Sequence, residues 1–398
     1  MFDELQMAPP DPILGLSEAF KADPNPNKIN LSVGVYADEN GKTPIFTSVK
    51  KAEKKILEQE TSKSYLPIPG SADYAAAVQG LLFGSDSEVI ASKRAVTAHT
   101  PGGTGALRVA GDFLKPLRPD AKVWVSEPTW ENHKGVFTNA GFEVATYSYY
   151  DAENRCLDFE RMLQSLEKIP SGDIVLLHGS CHNPTGVDPT IEQWKKIAAT
   201  VAKRGLLPLI DFAYQGLAYG IDEDAAGVRL FCQPGQEALI ASSFSKNFGL
   251  YNERVGALTL VASSAEAAKK ALSHIKIAIR RNYSNPPTHG GSIVSTILAD
   301  PTLRAEWEKE VAGIRNRIRQ MRELFVKTLN EKGVDRDFAF ITRQNGMFSF
   351  SGLTKEHVEA LRSRYSIYVV GSGRINVAGM TSANMDRLCQ AIAEVLKK

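Results

Sequence analysis

Short apolar runs alternate with helical stretches from about residue 95 onward. Each run ends in a polar or glycine-rich segment, as buried strands commonly do. We predict strands at Ala95–Ala98, Ala121–Val125, Asp173–Leu177, Leu206–Ile210, Ala238–Ala241 and Gly256–Val261. Strands that alternate with helices are typical of a mainly parallel sheet with helices on both faces, so the pattern predicts an α/β fold.

Two segments near the N-terminus have different patterns. Residues 29–36 alternate polar and apolar positions with period two, which predicts a strand. Gly34 inside it permits either close approach of a ligand or a bulge. Pro9, Pro10 and Pro12, before a helical stretch from Leu14 to Lys21, indicate an arm that either packs on a partner subunit or frays.

A long amphipathic helix is predicted to begin after the capping pair Asp300 and Pro301. Its apolar residues recur every three or four positions, which predicts packing in the core rather than a cofactor site: Leu303, Trp307, Val311, Ile314, Ile318, Met321 and Phe325. We expect this helix to lead into a smaller α+β unit that begins near Asn316.

Composition narrows the class of protein. The chain has 398 residues, 43% of them hydrophobic and 23% charged, with a net charge of +2, as in soluble globular proteins. This balance gives no basic surface for nucleic acid or an anionic membrane. No apolar run is long enough to cross a membrane, and the acidic N-terminus lacks a secretory signal. Four scattered cysteines fit a reduced compartment, so we expect a cytoplasmic protein.

The strongest chemical signal is the stretch from Ser242 to Gly256, which follows a predicted buried strand. A lysine at that strand end, Lys246, loses water, so its pKa falls and its amine becomes a nucleophile able to form a Schiff base. Ser243, Ser245 and Arg254 are donors suited to a phosphate. The combination suggests pyridoxal phosphate; a solvated lysine in a serine-rich loop is the alternative.

Other strand ends carry further candidates. The glycine-rich segment from Gly102 to Gly105 opens a helix and predicts a second phosphate-binding element. A dinucleotide fingerprint is rejected because Arg108 stands at the third glycine position. Trp130, after the strand at 121–125, either lies on a planar cofactor or fills the core.

Asp211 follows a buried strand, where a carboxylate is costly without a cationic partner. A protonated pyridine nitrogen is such a partner, and Tyr214 could reach the phenolic oxygen of the same ring; a helix cap or a structural ion pair is the alternative. The Asn183–Pro184 pair predicts a tight turn, with a cis bond considered, that aims the Asn183 amide into a site.

Two further groups of residues suggest metal binding and carboxylate recognition. The spacing of His178, Cys181 and His182 suggests zinc, but Gly179 and Asn183–Pro184 break the helix that would align them, so we predict no metal. Arg280–Arg281 at a helix end and Arg374 beside a strand are candidates for carboxylate recognition, with a solvated basic turn as the alternative for the former pair.

Taken in order, these motifs resemble one known family. Ser243-x-Ser245-Lys246 with Arg254, Asp211-x-x-Tyr214, Asn183-Pro184-Thr185-Gly186 and the Gly102 loop resemble the aspartate and aromatic amino-acid aminotransferases. These are class I enzymes of the pyridoxal-phosphate fold type I family. The resemblance covers the whole chain. It implies a mainly parallel seven-stranded sheet and three regions: an N-terminal arm with part of the small domain (1–45), a large cofactor-binding domain (46–315) and a small C-terminal domain (316–398).

The resemblance also assigns roles. Lys246 would carry the internal aldimine, Asp211 would hold the pyridinium nitrogen, and Asn183 and Tyr214 would bind the phenolic oxygen. Trp130, supported by His133, would stack on the ring. The implied phosphate ligands are Gly103, Thr104, Ser243, Ser245, Arg254 and Tyr65 of the neighbouring subunit. The implied substrate ligands are Gly34, Trp130, Asn183, Arg374 and Arg280, the last from the other subunit, which makes a homodimer part of the site.

The implied reaction moves the amino group of aspartate or of aromatic amino acids to 2-oxoglutarate by a ping-pong mechanism. A β-lyase or decarboxylase on the same fold is one alternative, and a catalytically silent binding protein is another. Tyr65-Leu66-Pro67 and Arg280-Arg281 lean toward aromatic substrates, whereas Asn285-Pro286-Pro287 is shared with aspartate enzymes. Glu127 precedes Pro128 where the family usually has asparagine, so the isomer of that bond stays open.

Overall fold

The computed structural model describes residues 2–7 and 14–397. Its helices are α1 (Leu14–Ala22), α2 (Thr47–Gln59), α3 (Ala72–Phe83), α4 (Glu88–Ala91), α5 (Gly102–Leu117), α6 (Asn132–Asn139), α7 (Phe159–Leu166), α8 (Ile191–Arg204), α9 (Ile221–Arg229), α10 (Ala265–Asn282), α11 (Thr288–Ala299), α12 (Pro301–Glu331), α13 (Lys355–Tyr365) and α14 (Ser382–Leu396). Short 3₁₀ helices cover Phe2–Glu4, Ala339–Arg343 and Val377–Gly379. Among the described residues, no helix combines the length and hydropathy needed to cross a membrane.

The strands are β1 (Ile29–Asn30), β2 (Ala95–Pro101), β3 (Val123–Glu127), β4 (Val144–Ser148), β5 (Tyr150–Asp151), β6 (Cys156–Leu157), β7 (Ile174–His178), β8 (Leu207–Phe212), β9 (Ala238–Ser243), β10 (Val255–Val261), β11 (Phe348–Phe350), β12 (Ile367–Tyr368) and β13 (Arg374–Asn376). Seven of the described strands form one sheet in the order β2-β10-β9-β8-β7-β3-β4. Only β10 is antiparallel to its neighbours. The predicted mainly parallel seven-stranded α/β fold is confirmed.

Helices cover the large sheet, and this explains the continuous apolar runs of its strands. All residues of β7, β9 and β10 are buried. Strands that are buried on both faces need apolar side chains at every position rather than at every second one. Helices α5 and α10 belong to the same core, to which they contribute Leu107, Phe113 and Ile275.

Strand register brings the predicted polar residues to one edge of this sheet. His178 at the end of β7 pairs with Asp211 on β8, and Asp211 in turn pairs with Ala241 on β9. Ser243 at the end of β9 pairs with Gly256 on β10. Ligands of open α/β sheets bind beyond the carboxyl ends of the parallel strands, so this edge is the expected place for a site.

The chain separates into two compact units. The first comprises residues 1–43, 184–186 and 317–398, and the second comprises residues 44–183 and 187–316. The first unit contains two small sheets, a parallel pair of β1 with β12 and an antiparallel pair of β11 with β13. The second unit contains the seven-stranded sheet. The predicted domain boundaries at 45 and 315 stay a prediction, because compactness alone does not show independent folding.

The predictions for the N-terminal segment are confirmed only in part. Helix α1 lies where the helical stretch was predicted, whereas Pro9, Pro10 and Pro12 of the predicted arm lie outside the described residues. The strand predicted at 29–36 is wrong beyond Asn30. The carbonyls of Val33 and Val35 accept hydrogen bonds from the Asn376 side chain, at 2.6 and 2.8 Å, instead of from a neighbouring strand.

The long amphipathic helix is confirmed as α12. Each residue of its predicted apolar stripe is at most 7% exposed. The Asp300 carboxylate accepts hydrogen bonds from the backbone N–H groups of Thr302 and Leu303, at 2.9 and 3.1 Å, and so caps the first turn.

Arg322 of α12 is a buried cation in the first unit, 2% exposed. Its guanidinium donates to the Ser349 hydroxyl and to four carbonyls, those of Ile341, Asn345, Gly346 and Phe348. We expect Arg322→Met to lower the free energy of unfolding by about 3–5 kcal/mol, because the carbonyls would stay buried without donors. Urea denaturation measures this loss.

The matched control is Arg319→Met on the exposed face of the same helix. A surface change of this kind should alter the free energy of unfolding by no more than about 0.5 kcal/mol. Equal losses in the two variants would show that the Arg322 hydrogen bonds contribute little.

Candidate active site

Lys246 lies in the turn that follows β9. The Gly249 amide closes this turn by donating to the Lys246 carbonyl at 3.2 Å. The Lys246 ammonium lies 4.9 Å from the centre of the Tyr214 ring. Burial lowers the pKa of this ammonium, and nearby Arg254 acts in the same direction while Asp211 opposes it. A larger fraction of the Lys246 amine is therefore uncharged and nucleophilic at neutral pH than for a solvated lysine.

Asp211 near the end of β8 carries the negative charge of the site. Its Oδ2 lies 3.0 Å from His133 Nε2 on α6, and its side chain is only 11% exposed. Burial acts to raise the pKa of this carboxyl, but the His133 hydrogen bond and the neighbouring Lys246 charge outweigh it, so the pKa is lowered. Asp211 is thus a carboxylate in surroundings that favour a cation beside it.

A chain of hydrogen bonds extends behind Asp211. Thr129 Oγ1 lies 2.7 Å from His133 Nδ1 and 3.2 Å from His178 Nε2. The backbone N–H of Asn183 donates to His178 Nδ1 at 3.4 Å. Burial lowers the pKa of His178 to about 3, so this ring is neutral.

The neutral His178 ring allows the following direction for the protons of this chain. Asn183 N–H donates to His178 Nδ1, and His178 Nε2–H donates to Thr129. The Thr129 hydroxyl then donates to His133 Nδ1, which leaves His133 Nε2–H to donate to Asp211. In this arrangement each member sets whether the next one donates or accepts, and the chain ends on the Asp211 carboxylate.

His182 belongs to a second group of contacts. Its Nε2 lies 2.9 Å from Ser126 Oγ, and its ring stacks on Tyr149 at 3.9 Å. Asp188 accepts from the amides of Cys181 and His182, both at 2.9 Å. The rings of His178 and His182 are therefore hydrogen-bonded to Thr129 and Ser126, and Cys181 contributes its backbone amide to the Asp188 contact. No group of metal-binding side chains is found within residues 2–7 and 14–397.

The peptide bonds Glu127–Pro128 and Asn183–Pro184 have different isomers. Glu127–Pro128 is cis, which answers the question that the sequence left open. The cis bond considered at Asn183–Pro184 is wrong, since Glu127–Pro128 is the cis bond in the described chain.

An anion cradle forms where β2 leads into α5. Helix α5 begins at Gly102 with Pro101 as its N-cap residue and no side-chain cap, so the first-turn N–H groups, including those of Gly103 and Thr104, stay available for a ligand. A Cβ on Gly102 would lie 2.5 Å from Arg254 Nη2, which shows how closely the guanidinium approaches this turn. Ser243 and Ser245 are buried and hydrogen-bonded to each other at 3.2 Å.

Arg374 on β13 is buried in the first unit. Its Nη2 donates to the Ser32 carbonyl at 2.7 Å, and its guanidinium lies 4.3 Å from the centre of the Phe348 ring. A Cβ on Gly34 would lie 2.8 Å from the same ring. A Cβ at Gly34 would therefore require the Phe348 ring to move, and the ligand contact predicted for Gly34 stays a prediction.

Tyr65 and Arg280 lie outside the hydrogen-bonded and ring contacts of Lys246, Tyr214 and Asp211 in the described residues. Tyr65 is 91% exposed, and exposed Arg280, in the last turn of α10, bonds to Ser284. Within the described residues, neither has a hydrogen bond or ring contact with Lys246, Tyr214 or Asp211. Trp130 meets the His133 ring edge-on, with the two ring centres 5.2 Å apart.

Sequence reasoning missed Thr129 and the positions of His178 and Asp188 in these networks. His178 was considered only as a metal ligand, although its place one residue after the predicted strand at 173–177 was a usable signal. As a whole, the site joins a nucleophilic amine, a buried carboxylate and an anion cradle at one sheet edge of the second unit.

Comparison with known proteins points the same way. A family model described as aminotransferase class I and II matches residues 26–392. The chain is 60% identical over 396 residues to an aspartate aminotransferase of Salmonella typhi, with 100% of both chains covered. It is 44% identical over 397 residues to an aromatic-amino-acid aminotransferase of Escherichia coli, also with 100% of both covered.

The structure of this chain is also similar over its whole length to a solved structure. The aromatic-amino-acid aminotransferase of Burkholderia pseudomallei, covalently bound to pyridoxal phosphate, superposes with a TM-score of 0.97 at 51% identity. The match covers 100% of this chain and 99% of that one.

Proposed function

Because the chain belongs to the aminotransferase class I and II family, we propose that it transfers the amino group of aspartate and of aromatic amino acids to 2-oxoglutarate. Its cofactor is pyridoxal phosphate. The observation that carries the proposal is the Lys246 amine, whose pKa burial lowers, 4.9 Å from the Tyr214 ring and near the Asp211 carboxylate. A nucleophilic amine beside a buried carboxylate suits a cofactor that has an aldehyde and a basic ring nitrogen.

The residues of the second unit fit this cofactor. The uncapped first turn of α5 and the adjacent Arg254 guanidinium suit a phosphate dianion, and the glycine at 102 leaves room for that guanidinium. The phosphate ligands that we assign are Gly103, Thr104, Ser243, Ser245 and Arg254. When bound, pyridoxal phosphate supplies an aldehyde for amines and a ring that withdraws electrons from the substrate Cα.

We assign the other roles from the chain's own groups. The Asp211 carboxylate holds a proton on the pyridine nitrogen, and the His133 hydrogen bond keeps that carboxylate ionised and oriented. Asn183 and Tyr214 would bind the phenolic oxygen of the cofactor, while Trp130 would cover its ring face. Lys246 Nζ would take the proton from the substrate Cα and return it to the carbon on the other side of the substrate nitrogen, which would make Lys246 both base and acid.

Two arginines account for substrate binding in this proposal. Arg374 binds the α-carboxylate with a planar guanidinium that the Phe348 ring and the Ser32 carbonyl hold in place, and Gly34 lies beside that ring. Arg280 meets the distal carboxylate of aspartate or 2-oxoglutarate. Exposure of Arg280 and Tyr65 in the single chain supports a homodimer in which these residues of one subunit complete the site of the other.

The substrate can be tested by half-reactions. Protein loaded with pyridoxal phosphate is mixed separately with aspartate and with phenylalanine, and the change from the pyridoxal to the pyridoxamine absorbance band is followed. We expect conversion by both amino acids, with aspartate faster because identity is higher to the aspartate enzyme than to the aromatic ones.

The same experiment separates the alternative functions. A β-lyase or decarboxylase would release the side-chain fragment or carbon dioxide, and a silent binding protein would show no conversion of the band. Any of these results would contradict the proposal. We also infer a cytoplasmic location, which the scattered positions of the four cysteines in the sequence support.

Gly256 tests the phosphate cradle. A Cβ at this position would lie 2.4 Å from the Gly102 carbonyl carbon, so Gly256→Ala must displace the turn that begins α5. We expect the affinity for pyridoxal phosphate and for pyridoxamine phosphate to fall by about tenfold or more, since both bind through the same phosphate. Titration of the apoprotein with each cofactor measures this change.

Gly80→Ala is the matched control, because a Cβ at Gly80 in α3 would have no neighbour within 4 Å. It should leave both affinities unchanged. Unaltered cofactor binding in Gly256→Ala would contradict the assignment of the α5 turn as the phosphate site.

A further inference from the structure

Asn247, the residue after Lys246, bridges two turns of the chain. It is 1% exposed, and its Nδ2 donates to the Gln215 carbonyl at 3.1 Å. Gln215 directly follows Tyr214. One side chain therefore joins the turn that carries Lys246 to the turn that carries Tyr214.

Each of the two turns is also anchored away from this bond. Gln215 Nε2 donates to the carbonyls of Leu81 and Ile221, both at 3.1 Å. On the lysine side, Trp307 Nε1 donates to the Asn247 carbonyl at 2.7 Å, and the Trp307 ring stacks on Phe248 at 4.4 Å. The Asn247 amide therefore links directly two turns that are otherwise anchored to separate parts of the second unit.

Packing alone does not explain an amide at this position. Within the described residues, Asn247 Oδ1 is buried and has no hydrogen-bond partner. Such an orphaned oxygen costs about 1–3 kcal/mol, a cost that a leucine of similar size would avoid. The orientation of the amide follows from its neighbour, because the Gln215 carbonyl can only accept. What the site needs from Asn247 is therefore its N–H donor.

We propose that Asn247 is a positioning residue that holds Lys246 Nζ over the Tyr214 ring for covalent attachment of the cofactor. This inference rests on the proposed function. In the attachment step, the uncharged amine bonds to the aldehyde carbon, and the aldehyde oxygen leaves as water with the two amine protons. Asn247 touches neither cofactor nor substrate in this role and acts through the placement of Lys246.

Comparing the affinities for pyridoxal phosphate and pyridoxamine phosphate distinguishes positioning of Lys246 from a general effect of Asn247 on the stability of the site. Pyridoxamine phosphate has an amine in place of the aldehyde, so it fills the same site without a bond to Lys246. We expect Asn247→Leu to weaken pyridoxal phosphate binding by about tenfold or more. The affinity for pyridoxamine phosphate should stay within about twofold of the wild-type value.

Asn247→Ser is the second variant, because its side chain is too short to reach Gln215 and adds no bulk. If the leucine variant does not fold, the serine variant carries the same comparison. Val201→Ala, a core truncation in α8, controls for lost stability and should change neither affinity. Equal weakening of both cofactors, or no weakening of either, would overturn the positioning role.

Failure of the proposed function would give a different result. In that case the wild-type protein would bind neither cofactor, or its absorbance band would not respond to amino acids. A wild-type protein that transaminates, with an unchanged ratio of the two affinities in both Asn247 variants, would overturn only the inference about Asn247.

Discussion

Lys246→Ala should reduce the turnover number for transamination of aspartate by about 10⁴-fold or more. Two roles are lost together, since the same Nζ attaches the cofactor and moves the proton at the substrate Cα. No other amine is held over the Tyr214 ring in the contacts of the described residues. Water can reach the Cα proton but is a weaker base than an amine whose pKa burial lowers.

Single-turnover absorbance measures the proton-transfer role separately. The variant is loaded with pyridoxamine phosphate, which needs no bond to Lys246, and is mixed with 2-oxoglutarate. We expect binding to persist while conversion slows by a similar factor. Lys269→Ala, at an exposed position of α10, is the control and should behave like the wild type. Conversion in Lys246→Ala within a hundredfold of the wild-type rate would contradict the acid–base role.

The central strands and the edge strand β2 were predictable from the sequence, whereas the edge strand β4 and the full extent of β1 were not. Strands β7 and β9 are buried at every position, so each gives an uninterrupted apolar run. Edge strand β4 has only Tyr147 fully buried, and its mixed composition gave no such run. The length of β1 was overestimated because the alternation continues to Tyr36, whereas the Asn376 side chain donates to the carbonyls of Val33 and Val35. The local pattern of apolar residues indicates which positions are buried, whereas the strand that each strand pairs with depends on residues that are distant in the sequence.

The same limit applies to the site. Lys246 and Asp211 were found because each follows a buried strand, where a charged side chain needs a chemical reason. Thr129 and His178 are 49 positions apart, and His133 and Asp211 are 78 apart. Nothing in the local sequence states that these pairs meet. The resemblance named His133 as a support for Trp130, and its hydrogen bond to Asp211 became visible only from strand register and the placement of α6.

Asp211→Asn should reduce kcat/KM for aspartate by about a thousandfold. The amide keeps the shape of the side chain but loses the charge that favours a proton on the pyridine nitrogen, and fixed charges of this kind contribute about 10²–10³-fold each. The amide also presents a neutral acceptor or a donor to His133 Nε2, so the order of protons along the Thr129 and His178 chain loses its end point. Steady-state kinetics with aspartate and 2-oxoglutarate measure the loss.

His133→Phe tests whether the histidine acts through Asp211. The substitution keeps a buried ring beside Trp130 but removes the bond to the Asp211 carboxylate, so that carboxylate stays charged in a less favourable setting. We expect about a tenfold loss of kcat/KM in the single variant and almost no further loss when Asp211→Asn is already present. Residues that act through one contact are non-additive in this way. Additive losses would mean that His133 affects the reaction by a route independent of Asp211, and the hydrogen-bonded chain would then be structural support for α6 alone.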